Sequence, residues 1–376
     1  MTWLLVSGDF TPLGGMDAAN YALARYLAGR GPVHLVTHRA WADLCGTGVT
    51  VERVPRPLGA HMLGAPLLDL AGRRAWARRR AADARAVVNG GNCRVDHAIV
   101  WVHYLHAAYR AEVNGSPLAR ARHAFVRRRD LAAERDAITA ASLVVCNSLR
   151  TRDDVLRAYE VEPDRVKVVY YGIDAARFGL VSAEQRRRAK TALGCDPDRP
   201  LVGFVGALGD RRKGFDTLFE AWRRSCARPS WDADLLVVGA GSELEAWRQR
   251  AADVGLDGRV RFAGFRDDVP AVIAGLDGFV HPARYEAYGL SPHEALCRGV
   301  PTLVSASAGV AERYPSTLAE LLIADPDDVD HLCERLTLWR SRLDAWQSLA
   351  ADASHAMRAR SWGAMAAEIA ALAEAA

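Results

Sequence analysis

The sequence predicts an α/β protein made of two doubly wound, Rossmann-like domains facing a central cleft, and three observations carry that prediction. Short apolar runs alternate with helical patterns along the chain, the runs fall into two sets, and a polar stretch separates the sets. In the first set the runs lie at 3–7, 33–37, 99–103, 143–146 and 166–170. Each is too short and too evenly apolar for an amphipathic helix, as expected of a parallel strand covered on both faces. The second set repeats the scheme at 201–205, 235–238, 260–262, 278–281 and 302–305. Between them, residues 182–200 are polar and include Gly194, Pro197 and Pro200. The expected organisation is therefore a domain over 1–180, a linker over 181–199, a second domain over 200–353 and a helix over 354–376. In that last segment Trp362, Met365 and Ile369 recur at helical spacing.

Length and composition agree, since 376 residues suit two to three domains at ~100–200 residues each and half of the residues are apolar. No apolar run approaches the ~18–20 residues that span a bilayer, and Met1 to Ser7 lack the basic start of a signal peptide. Seven scattered cysteines (45, 93, 146, 195, 226, 297 and 333) form no Cys-x-x-Cys pair, which suits reduced thiols better than a disulfide framework or a zinc site. A cytoplasmic protein is expected. Residues 1–178 carry 25 Lys and Arg against 17 Asp and Glu, whereas residues 179–376 carry 24 against 28, so the first half is the basic one.

Ligands of open parallel sheets bind beyond the carboxyl ends of the strands. After the first strand come Gly14-Gly15-Met16-Asp17 and a helical pattern, a turn that brings backbone amides close to an anion. Gly239-Ala240-Gly241-Ser242-Glu243-Leu244 resembles a dinucleotide fingerprint, but Leu244 stands where the third glycine belongs, which disfavours nicotinamide chemistry. The most informative stretch is Tyr285-Glu286-Ala287-Tyr288-Gly289-Leu290-Ser291-Pro292-His293-Glu294, two carboxylates eight residues apart around the start of a helix. Amides over 287–290 suit a phosphate, and the flanking acids suit sugar hydroxyls.

This stretch resembles the E-x7-E signature of glycosyltransferase family 4, retaining enzymes of the GT-B fold, with Glu286 and Glu294 on its two acids. The resemblance extends to Val166-Lys167-Val168-Val169-Tyr170-Tyr171-Gly172-Ile173-Asp174, which is similar to the family's interdomain hinge. It extends further to Arg261-Phe262-Ala263-Gly264-Phe265, whose Phe265 would border the base, and to Gly309-Val310-Ala311-Glu312. The loop Gly206-Ala207-Leu208-Gly209-Asp210-Arg211-Arg212-Lys213-Gly214 matches the family's phosphate-facing loop at Lys213. Ala207 replaces its usual Arg, leaving Arg211 or Arg212 as the substitute. At the end of an N-domain strand, His103 fits the family's cleft histidine better than His106 does.

The resemblance implies transfer of a sugar from a nucleoside-diphosphate donor, a UDP- or GDP-sugar, to an acceptor hydroxyl, with the diphosphate itself accepting the acceptor's proton. Lys213 and Arg212 would neutralise that diphosphate, Glu286 would hold a sugar hydroxyl, and His103 would contact the donor sugar. Gly14, Gly15, Gly206, Arg211, Phe265, Ala287, Tyr288, Gly289, Leu290 and Glu294 would bind the donor, with Glu294 on the ribose. Asp17, Tyr104 and His106, in the loops 8–17 and 104–114 (which ends at Asn114), would face the acceptor, a sugar, lipid-linked or small molecule. The last helix would cross back to the first domain. No cofactor is expected, since the nucleotide-sugar is a substrate, and no metal. The triplets Asp196-Pro197-Asp198, Asp232-Ala233-Asp234 and Asp325-Pro326-Asp327 read as turn and helix-start chemistry or as a strand's approach.

Two readings compete for the basic first half. The apolar stretch 58–68 followed by Arg73, Arg74, Trp76, Arg78, Arg79, Arg80 and Arg85 suits peripheral contact with the anionic inner face of a membrane, and Arg120 to Arg135 adds to it. A helix with its arginines in water accounts for the same pattern. Nucleic-acid binding is not expected, because no recognised motif is present and the isoelectric point is only near 8.7. A sugar-nucleotide epimerase of related fold remains the other enzymatic reading.

Overall fold

The computed structural model describes residues 1–46, 48–79, 83–112, 116–209 and 211–375; Arg80, Asn114 and Asp210, used above, lie outside the described residues. The chain forms two compact units, Met1–Gly172 with Arg360–Ala376, and Ile173–Ala359.

In unit 1 the strands are β1 (Thr2–Val6), β2 (Asp9–Phe10), β3 (Val33–Thr37), β4 (Arg39–Ala40), β5 (Val49–Arg53), β6 (Ala84–Asn89), β7 (Ile99–Val102), β8 (Leu143–Cys146) and β9 (Val166–Val168). Seven of them make one sheet in the order β5-β3-β1-β6-β7-β8-β9, every pair parallel, while β2 and β4 pair as a short ribbon. Helices α1 (Met16–Ala28), α2 (His61–Arg79), α3 (Pro117–Ala140) and α4 (Leu149–Ala158) join them. The central strands are buried throughout, as parallel strands under helices must be: β1 hides Trp3, Leu4, Leu5 and Val6, and β7 all four of its residues.

Unit 2 contains α5 (Ala183–Ala192), β10 (Leu201–Val205), α6 (Phe215–Cys226), β11 (Asp234–Val238), α7 (Leu244–Asp253), β12 (Val260–Gly264) and α8 (Val269–Ala274). It continues through β13 (Gly278–His281), α9 (Leu290–Cys297), β14 (Thr302–Ser305), β15 (Leu322–Ile323), α10 (Val329–Ser341) and α11 (Leu343–Arg358). Its parallel sheet runs β12-β11-β10-β13-β14-β15. In both sheets the first strand lies centrally and the order reverses beside it, between β1 and β6 and between β10 and β13. That reversal opens a crevice at the carboxyl ends of the strands. Phe204, Phe219, Trp222, Phe279 and Trp339 fill the core of unit 2, and burying each such side chain contributes roughly 1.5–3 kcal/mol.

The segment 181–199, expected as a linker, is built into unit 2. Ser182 and Gln185 form a reciprocal capping box that starts α5. On α5, Lys190 lies buried with its Nζ 2.5 Å from Asp277 Oδ2. Asp277 Oδ2 also accepts the Leu201 amide at 2.7 Å, so one carboxylate ties α5 to the start of β10. Polar composition misled here because the helix buries charge in pairs rather than apolar surface.

The helix expected over 354–376 is divided. Residues up to Arg358 belong to α11 of unit 2, and α12 (Trp362–Ala375) belongs to unit 1, where it packs on α1. It buries Met365, Ala366, Ile369, Ala370 and Ala373. Arg85 Nε donates to Ala373 O at 2.9 Å, and Arg30 pairs with Glu374 at 3.1 Å. Among the described residues no helix is long and apolar enough to cross a membrane.

Candidate active site

In unit 2, the two loops flanking the reversal of strand order, those after β10 and β13, carry the chemistry. The first loop is pinned by close backbone approach. Gly214 adopts a left-handed conformation, and a Cβ there would lie 1.8 Å from Pro282 O. Gly239, after β11, would place a Cβ 1.8 Å from Gly206 O. The glycines of the fingerprint-like sequence therefore seat one loop on another, and Leu208 N donates to Ala240 O at 3.0 Å across that contact.

The loops bring Lys213 and Glu286 together as a salt bridge, with both side chains largely buried. A residue that sequence reasoning missed completes the group: His281, the last residue of β13, has its Nε2 2.8 Å from the same Glu286 Oε2 and is fully buried. Burial pushes the His281 imidazole down, reinforced by the Lys213 charge. The neutral ring therefore donates its Nε2 proton to the carboxylate. Burial alone would push the Glu286 carboxyl up; Lys213, the His281 hydrogen bond and Arg212 outweigh it and hold the group well below the usual carboxylate range. Glu286 is thus an oriented anion at every working pH. A histidine closing a buried strand five residues before an acid was the available sequence signal.

Arg212 points its Nη1 at Tyr285 O, 3.4 Å away, and Arg211 lines a recess with Lys213, Ala207 and Trp247. Another residue not foreseen, Arg284, braces this loop: it grips Asp216 through two nitrogens at 2.7 and 2.9 Å and donates to Arg211 O at 2.5 Å. Its third partner is Asp327, which belongs to one of the acidic triplets. The other triplets are equally engaged, Asp232 with Arg340, Asp234 with Arg259 and Asp198 with Arg187. Among the described residues no cluster of His, Cys, Asp or Glu could hold a metal ion.

Gly289 caps α9 in a left-handed conformation; Pro292 has no N–H and the His293 amide donates to Gly289 O, so the amides of Leu290 and Ser291 are those of the first turn with no intrahelical acceptor. The Tyr288 side chain, whose backbone amide is the expected donor contact, turns inward: it is buried, with its hydroxyl against His293 Nδ1 at 3.0 Å and Arg313 at 3.1 Å. The Ala287 side chain is likewise buried. Phe265 stands 77% exposed.

Glu294, on α9, has no hydrogen-bonding partner among the described residues, and burial pushes its carboxyl up to about 8, against weaker pulls from Arg177 and Arg298. The folded state therefore holds a proton that the unfolded chain has lost, and the group destabilises progressively as pH rises from about 4.5 to about 8. Glu294→Gln should raise the Tm above pH 8 by the equivalent of up to a few kcal/mol, the gain shrinking to nothing near pH 4. Thermal unfolding across that range measures it, and a gain independent of pH would count against the buried acid.

Unit 1 places its predicted residues on the same carboxyl edge of its own sheet. His103, just after β7, is 8% exposed and pushed down to about 3 by burial, hence neutral. Its Nδ1 meets the Tyr171 hydroxyl in a short hydrogen bond, Asn147 Nδ2 donates to that hydroxyl and to His103 O, both at 3.2 Å, and Nε2 has no partner among the described residues. Gly14 and Gly15 lead into α1, and Asp17 in its first turn is pushed up to about 6 by burial and by the charge of Asp9. Asp9 is itself held by Arg39 at 3.1 Å and Arg56 at 3.0 Å. Tyr104 and His106 stack edge to face, and the His106 amide donates to Glu134 at 2.7 Å.

Comparison with known proteins fits this geometry. The profile described as "Glycosyl transferases group 1" matches residues 199–339, and that of "Glycosyltransferase Family 4" matches residues 13–177. The 2-deoxystreptamine N-acetyl-D-glucosaminyltransferase of Streptomyces fradiae is 29% identical over 351 residues, 85% of this chain and 81% of that protein. The lipopolysaccharide core biosynthesis mannosyltransferase LpsB of Rhizobium meliloti is 30% identical over 244 residues, 63% of this chain and 67% of that protein. Among solved structures, WaaG, a glycosyltransferase involved in lipopolysaccharide biosynthesis, superimposes with a TM-score of 0.77 at 21% identity over all of both chains. HepE of Anabaena, in complex with UDP-glucose, gives 0.74 at 19% identity, also over all of both chains. The profiles and the relatives make the chain a glycosyltransferase, and its two Rossmann-like units have the GT-B fold. It belongs to glycosyltransferase family 4.

Proposed function

We propose that this enzyme transfers a hexosyl group from a UDP- or GDP-sugar to an acceptor hydroxyl with retention at the anomeric carbon. The observation that carries this reading is the Lys213–Glu286–His281 group, set beside the α9 N-terminus at the strand-order reversal of unit 2. Loss of a diphosphate needs positive charge that is already in place, because reorganising it during the reaction costs rate. Lys213, Arg212 and the first-turn amides of α9 supply it. Glu286, held anionic, accepts a hydrogen bond from a sugar hydroxyl, and Glu294 takes the ribose hydroxyls. The ring of Phe265 stacks on the base. As the anomeric C–O bond to the diphosphate breaks, the acceptor oxygen bonds to the same face, and its proton passes to the departing phosphate oxygen.

The engagement of the acidic triplets with arginines supports a reaction in which these triplets hold no metal. Unit 1 supplies in His103 a neutral imidazole for a sugar hydroxyl, with Gly14 and Gly15 as a close-approach turn, and Asp17, Tyr104 and His106 as acceptor contacts. Exposed Leu58, Leu63, Leu67 and Leu70 on and before α2, followed by exposed Arg73, Arg74 and Arg78, support a cytoplasmic enzyme that touches an anionic membrane surface.

The test is calorimetric titration with UDP, GDP, ADP and dTDP in the presence of a chelator. One base should bind with micromolar Kd, and Glu294→Ala should weaken it at least tenfold. Ribose hydroxyls donating to Glu294 favour its ionised form, so binding near pH 7 should release up to one proton, read from the dependence of heat on buffer. No binding of any nucleotide without divalent metal would overturn the metal-free reading.

A further inference from the structure

Unit 1 also contains a cavity of about 940 Å³, bounded by the loop after β7, one face of α3 and the C-terminal end of α4. Its charged lining is of one sign: Arg110, Arg120, Arg127, Arg128 and Arg135, with His123, and no Asp or Glu. Alanines make up most of the rest.

Four of the nearby carboxylates do little to neutralise it. Glu134 is 1% exposed, and its oxygens are taken by the His106 amide at 2.7 Å, the Ala107 amide at 3.1 Å and the Tyr159 hydroxyl at 2.6 Å. Asp130 pairs with Arg129, and Asp154 with Arg150 and Arg157. Asp136 reaches Arg94 and Arg135 only at 3.7 Å. Among the described residues Arg110, Arg120 and Arg128 have no ion-pair partner, and Arg127 makes only a 3.5 Å bond to His106 O.

Cations gathered in a concavity with apolar walls focus their field on its interior. Guanidinium forks match the oxygen geometry of phosphate. The volume lies within the range of small-ligand sites. An aromatic platform for nucleic-acid bases is absent from the lining, where Tyr159 is the single aromatic and its hydroxyl is committed to Glu134. We propose that this cavity binds a phosphate-bearing anion. It shares no residue with the Lys213–Glu286–His281 group and stands apart from the donor reading. Two sources of the phosphate fit: a soluble phosphorylated compound, or a phospholipid headgroup, for which Leu118 and Phe125, 80% and 64% exposed on α3, would meet the acyl region.

The test uses the full chain carrying Lys213→Ala, so that unit 2 contributes little phosphate binding. Inorganic pyrophosphate is titrated calorimetrically, and vesicles of phosphatidylglycerol in phosphatidylcholine are tested by sedimentation. Both are compared with a variant that adds R110Q/R120Q/R128Q, three exposed changes that leave the fold intact by circular dichroism, and with a charge-matched control, R187Q/R188Q/R248Q, in unit 2. A tenfold or larger loss of pyrophosphate affinity in the first variant alone supports the site with a soluble ligand. Loss of vesicle binding in the first variant alone, with pyrophosphate silent, supports it with a headgroup. Equal losses in variant and control, or less than twofold change with both probes, overturn the proposal.

Discussion

Glu286→Gln is expected to lower kcat/KM for sugar transfer by about 10²–10³-fold and to lower the Tm as well, because the charge of Lys213 then lies largely buried without its partner. The amide keeps the shape of the carboxylate and still accepts the His281 Nε2 proton, so what is lost is the charge. Lys213→Met should cost a similar factor, since a single preorganised charge aimed at a developing anion is worth about 2.7–4 kcal/mol. The two residues share one salt bridge. The double variant should therefore lose little more than either single one, as groups acting together do. Because the Glu286 carboxyl is held below the usual range, its contribution to stability is present from about pH 4.5 upward and is lost only as pH falls through its depressed value. Activity should accordingly show no acid limb from this group between pH 5 and 8. Steady-state release of nucleoside diphosphate measures the loss, and rates within threefold of wild type in both single variants would sink the assignment.

Asp277→Ala should be the most damaging single change to stability in unit 2. It strands Lys190 in the interior with no counter-charge, leaves Arg186 without its partner 3.9 Å away, and removes the acceptor of the Leu201 amide. Breaking a buried pair from one side costs about 3–5 kcal/mol, because the remaining charge stays desolvated. A unit of this size should lose roughly 6–20 °C in Tm. Replacing both partners at once, Lys190→Met with Asp277→Leu, should recover part of that loss. Thermal unfolding followed by circular dichroism distinguishes the cases, and an Asp277→Ala variant within 2 °C of wild type would show that water reaches the site.

The strands legible in the sequence are those buried on both faces, because only there does the parallel sheet dictate an unbroken apolar run; β1, β7, β8 and β10 are of this kind. Strand β5 escaped notice as an edge strand with no buried residue: Val49, Val51 and Glu52 are half-buried, and Thr50 and Arg53 exposed. Strand β6 was hidden by Arg85, whose guanidinium is spent on the carbonyls of Ala84 and Ala373, a partner 288 positions away. The same distinction governs the site. Lys213 and Glu286 were readable because local motif spacing brings each to a strand end. His281 and Arg284 were not, because their importance lies in what they touch: a carboxylate shared with Lys213, and an aspartate on α6. The inward turn of Tyr288 depends on His293 and Arg313, the latter 25 residues away, and so could not be read from the motif alone.

The interrupted course of the chain through unit 1 has a consequence for how the protein is made. Residues Ile173–Ala359 are contiguous and can pack while synthesis is still under way. The first 172 residues meet α12, which packs on α1, only after the whole of unit 2 has been made. Where the earlier-made domain usually folds first, unit 1 of this molecule gains its last element only after all of unit 2 has been made. A nascent chain halted between Ala359 and Trp362 would carry all of unit 2 behind a unit 1 whose α1 still lacks its covering helix, a species that chaperones are suited to hold.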